Sequence, residues 1–272
     1  MVKIKYERAL LMAFMFTILS INSVQSQNTM GAKSLSMGQT GSAIPDSEWS
    51  LFSNVALIPS NQNRVSFYGF RYAGLTEITD ISTVVSLNSK LGTLAAGIHR
   101  YGFDLFNETR MVLAMKQSYA QFHAGGSISY YHISQGGSYG SAGAVGIHLG
   151  VAARISDRVW LGARATNVNQ PSYARSDELL PRELAIGFHY RVTDKLLFTS
   201  DLVKDVLFPV SVRAGMEFLL IRNLFARGGI TTEPETVSFG FGYQAGYFQV
   251  NFGLQQHHHL GLSPALDIGL QF

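Results

Sequence analysis

The last eight residues constrain the fold most. Side chains along a strand alternate faces. Over residues 265–272, Leu266, Ile268, Leu270 and Phe272 therefore share one side, and Ala265, Asp267, Gly269 and Gln271 the other. The result is a ribbon with one greasy face and one small, polar face. A soluble sheet could use such a ribbon once. A transmembrane barrel must repeat it in every strand, because its outside meets lipid and its inside meets water or a plug.

The pattern does recur. Val145, Ile147, Leu149 and Val151 oppose Ala144, Gly146, His148 and Gly150; Leu184, Ile186 and Phe188 oppose Glu183, Ala185 and Gly187. Val237, Phe239, Phe241 and Tyr243 oppose Ser238, Gly240 and Gly242. The face opposite the greasy one is glycine and polar, charges included, which is the reverse of a soluble sandwich. From residue 63 onward the chain divides into fourteen such segments: 63–74, 81–87, 91–102, 107–116, 119–134, 142–155, 158–168, 182–192, 195–204, 207–221, 224–231, 235–244, 247–255 and 262–272. Connections after even-numbered segments are short, and those after odd-numbered ones include the long ones. Outer-membrane barrels pair short periplasmic turns with longer external loops. The sequence therefore predicts an all-β, antiparallel outer-membrane barrel of about 14 strands with both termini periplasmic. On this register a charge at Phe241 is costly, whereas Gly240→Ser on the lumen side costs much less.

Composition agrees. Charged residues make up 14% of the chain, against roughly 25% in soluble domains. With no cysteine, disulfides, thiolate metal sites and cysteine nucleophiles are excluded. Residues 1–26 read as a secretory signal peptide: Lys3, Lys5 and Arg8 precede an apolar run from Ala9 to Ile21, and Val24, Gln25 and Ser26 offer a cleavage site. That segment carries two of the three net positive charges. The basic balance thus gives no sign of nucleic acid, and basic patches with interleaved aromatics are missing.

Chemical motifs yield little. Gly136-Gly-Ser-Tyr-Gly140 has the letters of a nucleophile elbow but lies in a loop between strands instead of between strand and helix. Gly240-Phe-Gly242-Tyr-Gln-Ala-Gly246 is one residue too long for a dinucleotide fingerprint. His257, His258 and His259 form a conspicuous run. Imidazoles bind transition metals, but three consecutive strand residues cannot face one ion, so a solvated loop tip is expected. No catalytic residue, cofactor or metal is assigned, and a membrane esterase stands as a distant alternative.

Two groups of side chains do call for a role. Arg164, Glu183, Asp201, Arg213, Glu217 and Arg227 form a charged ladder on the lumen side of neighbouring strands. Mixed signs suggest pairing across strands. Residues 27–62 lack strand character yet hold Trp49, Leu51 and Phe52, followed by Asn54. These need burial, and the lumen is the place for it, so the segment reads as a hatch held by the ladder, with residues 63–272 as the barrel. Leu266, Ile268, Leu270 and Phe272 are expected to be the signal read by the barrel-assembly machinery. Deleting Phe272 should lower the yield of heat-modifiable barrel, and an unchanged yield would contradict that role.

Gly31-Ala-Lys-Ser-Leu-Ser-Met-Gly38, then Gly41, Asp46 and Trp49-Ser-Leu-Phe-Ser-Asn-Val-Ala56, resembles the opening shared by the long-chain fatty-acid (FadL-like) transporters and the PorV/PorQ family of type IX secretion. Asn54-Val55-Ala56-Leu57 stands where that pattern has Asn-Pro-Ala-Gly. Leu180-Pro-Arg-Glu-Leu-Ala-Ile-Gly187, Phe198-Thr-Ser-Asp201, Arg213-Ala-Gly-Met-Glu217 and Ala226-Arg-Gly228 are similar to PorV/PorQ-like barrels. The resemblance implies a fourteen-stranded barrel with its N-terminal segment inside. It offers two functions: an adaptor barrel for secretion-system proteins, or a conduit for a hydrophobic ligand. A conduit requires an apolar groove from the loops to the hatch. The lumen residues named above are mostly glycine and polar, which favours the adaptor.

Overall fold

The computed structural model describes residues 29–75, 77–136, 140–174, 179–257 and 261–272. Within them the chain forms a closed barrel of fourteen antiparallel strands, each paired with its sequence neighbours. The strands are β1 (Arg64–Phe70), β2 (Thr79–Ser89), β3 (Gly92–Phe103), β4 (Phe106–Tyr119), β5 (Phe122–Gln135), β6 (Gly140–Arg154), β7 (Val159–Ala165), β8 (Glu183–Arg191), β9 (Leu196–Asp205), β10 (Ser211–Ile221), β11 (Leu224–Thr232), β12 (Glu235–Ala245), β13 (Phe248–His257) and β14 (Gly261–Gln271). Pairing of β1 with β14, from Arg64 opposite Gln271 to Phe70 opposite Ala265, closes the ring. Closure leaves no open sheet edge, which a wall facing hydrocarbon requires.

Register follows the hydrophobic alternation. Phe239, Phe241 and Tyr243 point out of the barrel, half exposed, as do Leu266, Leu270 and Phe272. Their neighbours Ser238 and Asp267 are buried in the lumen.

Several segments differ from the sequence reading. β1 stops at Phe70 instead of 74, short of Gly74, whose φ of +73° breaks the extended chain. β10 starts at Ser211 instead of 207, just after Pro209, which has no amide for a ladder. β7 ends at Ala165 instead of 168, and the 17-residue connection 166–182 takes over there. The barrel therefore has a short-turn end, where β1 begins and β14 finishes, and a loop end. Two loop-end hairpins, β3–β4 and β11–β12, are nonetheless tight.

Strands β3–β6 run 12–15 residues and rise above the seven-residue β7. The upper edge of β6 thus lacks a strand partner, and the connection supplies one. Asn169 uses its amide as a surrogate ladder, accepting from the Ile147 amide at 2.9 Å and donating to the Val145 carbonyl at 2.8 Å. Val168 and Ala174 add backbone bonds to Ile147 and Gly143. The polar backbone of β6 is satisfied in this way. Tyr173 and Leu180 then turn inward and pack on Tyr131 and Ala144.

Candidate functional site: two chambers and a hatch

Residues 29–62 fill the middle of the lumen. They form a short helix α1 (Ala32–Ser36) and two 3-10 turns, Glu48–Phe52 and Val55–Leu57. Trp49, Leu51, Phe52, Val55 and Ile58 are buried against Tyr68, Val84 and Val112 of the wall. The Trp49 ring lies 5.6 Å from Tyr68 and 6.5 Å from Phe52.

Wall glycines make this close approach possible. A Cβ at Gly162 would collide with the Ser42 carbonyl, at Gly215 and Gly229 with the Met37–Gly38 backbone, and at Gly240 with Ser36. These lumen glycines are contact points for the hatch and not an inert polar lining.

The ladder residues divide into two kinds. Arg164 and Glu183 pair across strands at 2.9 Å, and Arg227 and Glu217 at 2.6 Å. Asp201 and Arg213 sit opposite each other in register, yet their hydrogen bonds go to the hatch. Asp201 accepts the amides of Gly41 and Ser42, both at 2.8 Å. Arg213 donates to the Gln39 carbonyl at 3.2 Å and to the Thr29 hydroxyl at 3.3 Å. Buried carboxylates and guanidinium groups need such bonds, since an unpaired buried charge is costly.

The sequence reading missed further anchors. Asp267 accepts the Ala32 amide at the start of α1 at 2.7 Å and the Asn251 side-chain amide at 2.6 Å. Asn251 accepts from Arg227 at 2.8 Å, and Glu217 reaches Lys33 at 3.5 Å. A chain of polar contacts thus grips α1 through both Ala32 and Lys33. Asn54, which the sequence reading did name with the hatch, donates to the Ser42 carbonyl at 2.7 Å and to the Val151 carbonyl at 3.1 Å. Glu48 takes Arg64, Ser66 and Gln249. Lys116 donates to the Ile58 carbonyl at 2.5 Å. Asp267 was visible in the sequence as the one charge in the terminal ribbon. Its partner 235 positions earlier was not.

The hatch separates two chambers. The lower, at the short-turn end, is about 260 Å³ and polar, lined by Lys33, Glu48, Arg64, His189, Arg227 and Gln249. The upper, at the loop end, is about 310 Å³. Met30 and Phe52 of the hatch, wall residues Tyr101, Phe106, Tyr131 and Ile133, and Tyr173, Leu179 and Leu180 of the long connection line one part of it, and polar and charged groups including Glu108, Arg110, Gln135, Arg164, Asn167 and Glu183 line the rest. Arg110 lies between two of these rings, 5.5 Å from Phe52 and 5.2 Å from Tyr131, and donates to Ser129 at 3.1 Å. Such cation–π contacts cover the guanidinium with aromatic faces. On the far side Tyr72 donates to Asp80 at 3.2 Å, and Asp80 is 2.9 Å from His99. Burial, reinforced by Asp80, pushes the Tyr72 hydroxyl well above the usual phenol range, so it stays a donor.

The upper chamber adds an apolar part to the mostly glycine and polar lumen read from the sequence. Its aromatic lining comes from the hatch, the long connection and the upper ends of tall strands, while the mid-wall positions are the glycine and polar ones. Among the described residues there is no cluster of His, Asp and Glu able to hold a metal. His258, His259 and residues 137–139 of the Gly-Gly-Ser-Tyr-Gly stretch lie outside the described residues.

No protein-family model and no curated protein matches the sequence. The fold is similar to solved structures of the toluene transporter TbuX of Ralstonia pickettii (TM-score 0.71, 14% identity, 91% of this chain and 99% of that one). It is likewise similar to the toluene transporter TodX of P. putida (0.70, 13%, 91% and 99%). A FadL homologue of Pseudomonas aeruginosa matches with a TM-score of 0.54 at 11% identity, over 89% and 97%. At these identities the likeness is one of fold: a closed β-barrel like theirs.

Proposed function

We propose that the chain is a non-enzymatic outer-membrane conduit for small hydrophobic molecules, which enter from the loop end and dwell in the upper chamber. The observation that carries this reading is the chamber resting directly on the hatch, with aromatic and aliphatic side chains over part of its wall and charged groups over the rest. Ligand sites are mostly apolar with a few placed polar groups, over roughly 300–1000 Å³. This chamber, at about 310 Å³, falls at the small end. It suits a compact ligand of one or two rings better than a long chain. The neighbours of similar fold that carry toluene point the same way.

The orientation proposed has the short turns and both termini in the periplasm, by the loop-length rule for such barrels. The signal peptide at 1–26 and a role in assembly for the terminal ribbon belong to the same reading. The adaptor role in type IX-like secretion rests on short motif likenesses alone. The fold neighbours are transporters, and the apolar part of the upper chamber, at Phe52, Tyr131, Ile133 and Leu180, supports the conduit.

The test is uptake of toluene by cells that lack other hydrocarbon channels. Cells expressing the chain should accumulate it several-fold faster than empty cells. Ile133→Trp, which fills the chamber, should remove most of that gain while the folded barrel persists. Uptake equal to that of empty cells, with folded protein in the outer membrane, would defeat the conduit.

A further inference from the structure

The upper chamber contains a cation whose hydrogen-bonding capacity the protein leaves largely unused. Arg110 of β4 lines the chamber and is only 8% exposed. Among the described residues no carboxylate comes within ion-pair distance of it, whereas Arg164 in the same chamber has Glu183. Its Nε donates to Ser129 at 3.1 Å. Its Nη2 comes within 3.4 Å of His148 Nε2. That second contact is not a hydrogen bond, because the histidine tautomer is fixed from its other side. The Asn167 amide donates to His148 Nδ1 at 3.2 Å, so the ring proton sits on Nε2 and goes to Ser129 at 2.9 Å. Two donors therefore face each other. Nη1 likewise has no acceptor among the described residues.

What surrounds the guanidinium instead is aromatic. The Phe52 and Tyr131 rings lie 5.5 and 5.2 Å from it. They attract the cation but are weak acceptors for its N–H groups. A buried donor left without an acceptor is costly. The Nη edge of Arg110 thus calls for an oxygen brought in by whatever occupies the chamber.

The charge of that oxygen follows from the other groups around it. Glu108 and Glu183 line the same chamber, and Asp80 stands behind His99. A further carboxylate would add to these acids. An uncharged oxygen accepts the N–H groups without that repulsion. We infer that the chamber selects a compact aromatic ring bearing an uncharged oxygen, as in a phenol or an aryl ketone, over the bare hydrocarbon. The oxygen sits on the Nη edge of Arg110 and the ring against Phe52 and Tyr131. This inference rests on the reading of the chamber as a ligand site and adds what the ligand must carry.

Crystals of the full-length barrel, soaked separately in iodobenzene, para-iodophenol and para-iodobenzoate over a range of concentrations, test it through the anomalous signal of iodine. A hydrogen bond to a charged group is equivalent to about tenfold or more in binding. The para-iodophenol should therefore half-fill the chamber at roughly a tenth of the concentration iodobenzene needs. Its oxygen should lie within hydrogen-bonding distance of Arg110 Nη1 or Nη2. The para-iodobenzoate should need a higher concentration than the phenol. Arg110→Met removes the donors and should bring the half-filling concentrations of iodobenzene and para-iodophenol together. Heat modifiability confirms that the variant is a folded barrel, and if it does not fold, the position of the oxygen in wild type decides alone. Iodine from none of the three compounds in the chamber would overturn the ligand site itself, and this inference with it. Four results would overturn the inference and leave the ligand site standing: equal filling by iodobenzene and the phenol, water on the Nη edge with the phenol oxygen turned away, the benzoate filling first, or an undiminished preference in Arg110→Met.

Discussion

A barrel lacking residues 29–60 is expected to conduct ions where the intact chain does not. Eight strands already fill a barrel with their own side chains, and about sixteen leave a channel. Fourteen strands therefore enclose a hole unless something occupies it. Residues 29–62 are that occupant, and their burial is nearly complete from Met30 to Ile58. The wall strands do not need the hatch to pair, since every strand is bonded to both neighbours in the closed ring. Removing it should thus leave a barrel with an open lumen lined by the freed Asp201, Arg213, Asp267 and Lys116.

Planar-bilayer recording of the deletion variant should show steady, porin-like conductance. Arg213→Ala removes the grip on Gln39 and Thr29 and should give brief openings in an otherwise closed barrel. An intact protein that already conducts like an open porin, unchanged on deletion, would contradict the plug.

Phe241→Arg should cost roughly 2–4 kcal/mol of barrel stability, the penalty for a basic side chain on the lipid face near the bilayer midplane. Phe241 is in the middle of β12, 55% exposed on the outer side, with Phe252 opposite it on β13. Phe241→Leu keeps the apolar face and should cost far less. Urea-unfolding of both variants in lipid vesicles gives the comparison, and equal stability would refute the register. At the adjacent position the structure adds a second effect to the sequence expectation of a small cost. A Cβ at Gly240 would meet Ser36 of α1 and the Phe252 carbonyl. Gly240→Ser should therefore dislodge α1 locally, so the variant should be more leaky than wild type even where its barrel is stable.

These two positions show what the sequence made legible. Period-two alternation depends only on neighbours two residues apart, so the strands, the faces and the closed all-β class could be read directly. The need of Trp49, Leu51 and Phe52 for burial was legible too, because nothing else in the chain could house them. Pairing partners were harder. Asp201 and Arg213 face each other across a ladder and look like a salt bridge, but the hatch backbone offers them amides and a carbonyl that would otherwise be unsatisfied. Such contacts join residues 160 and 174 positions apart, and no local pattern encodes them. The upper chamber was hidden for a similar reason. Tyr131 is one half of a Tyr130–Tyr131 pair whose inward member depends on register. Tyr173 and Leu180 belong to a connection that reads as loop until its Asn169 is seen patching the edge of β6.

The central claim is that the upper chamber receives a compact hydrophobic ligand above a closed hatch. The most direct measurement is the anomalous diffraction of iodine from crystals of the intact barrel soaked in iodobenzene. The account predicts an iodine site inside the chamber, in contact with Phe52, Tyr131, Ile133 and Leu180, and abolished in Ile133→Trp. Iodine found only on the outer wall, with the wild-type chamber filled by ordered water, would contradict it.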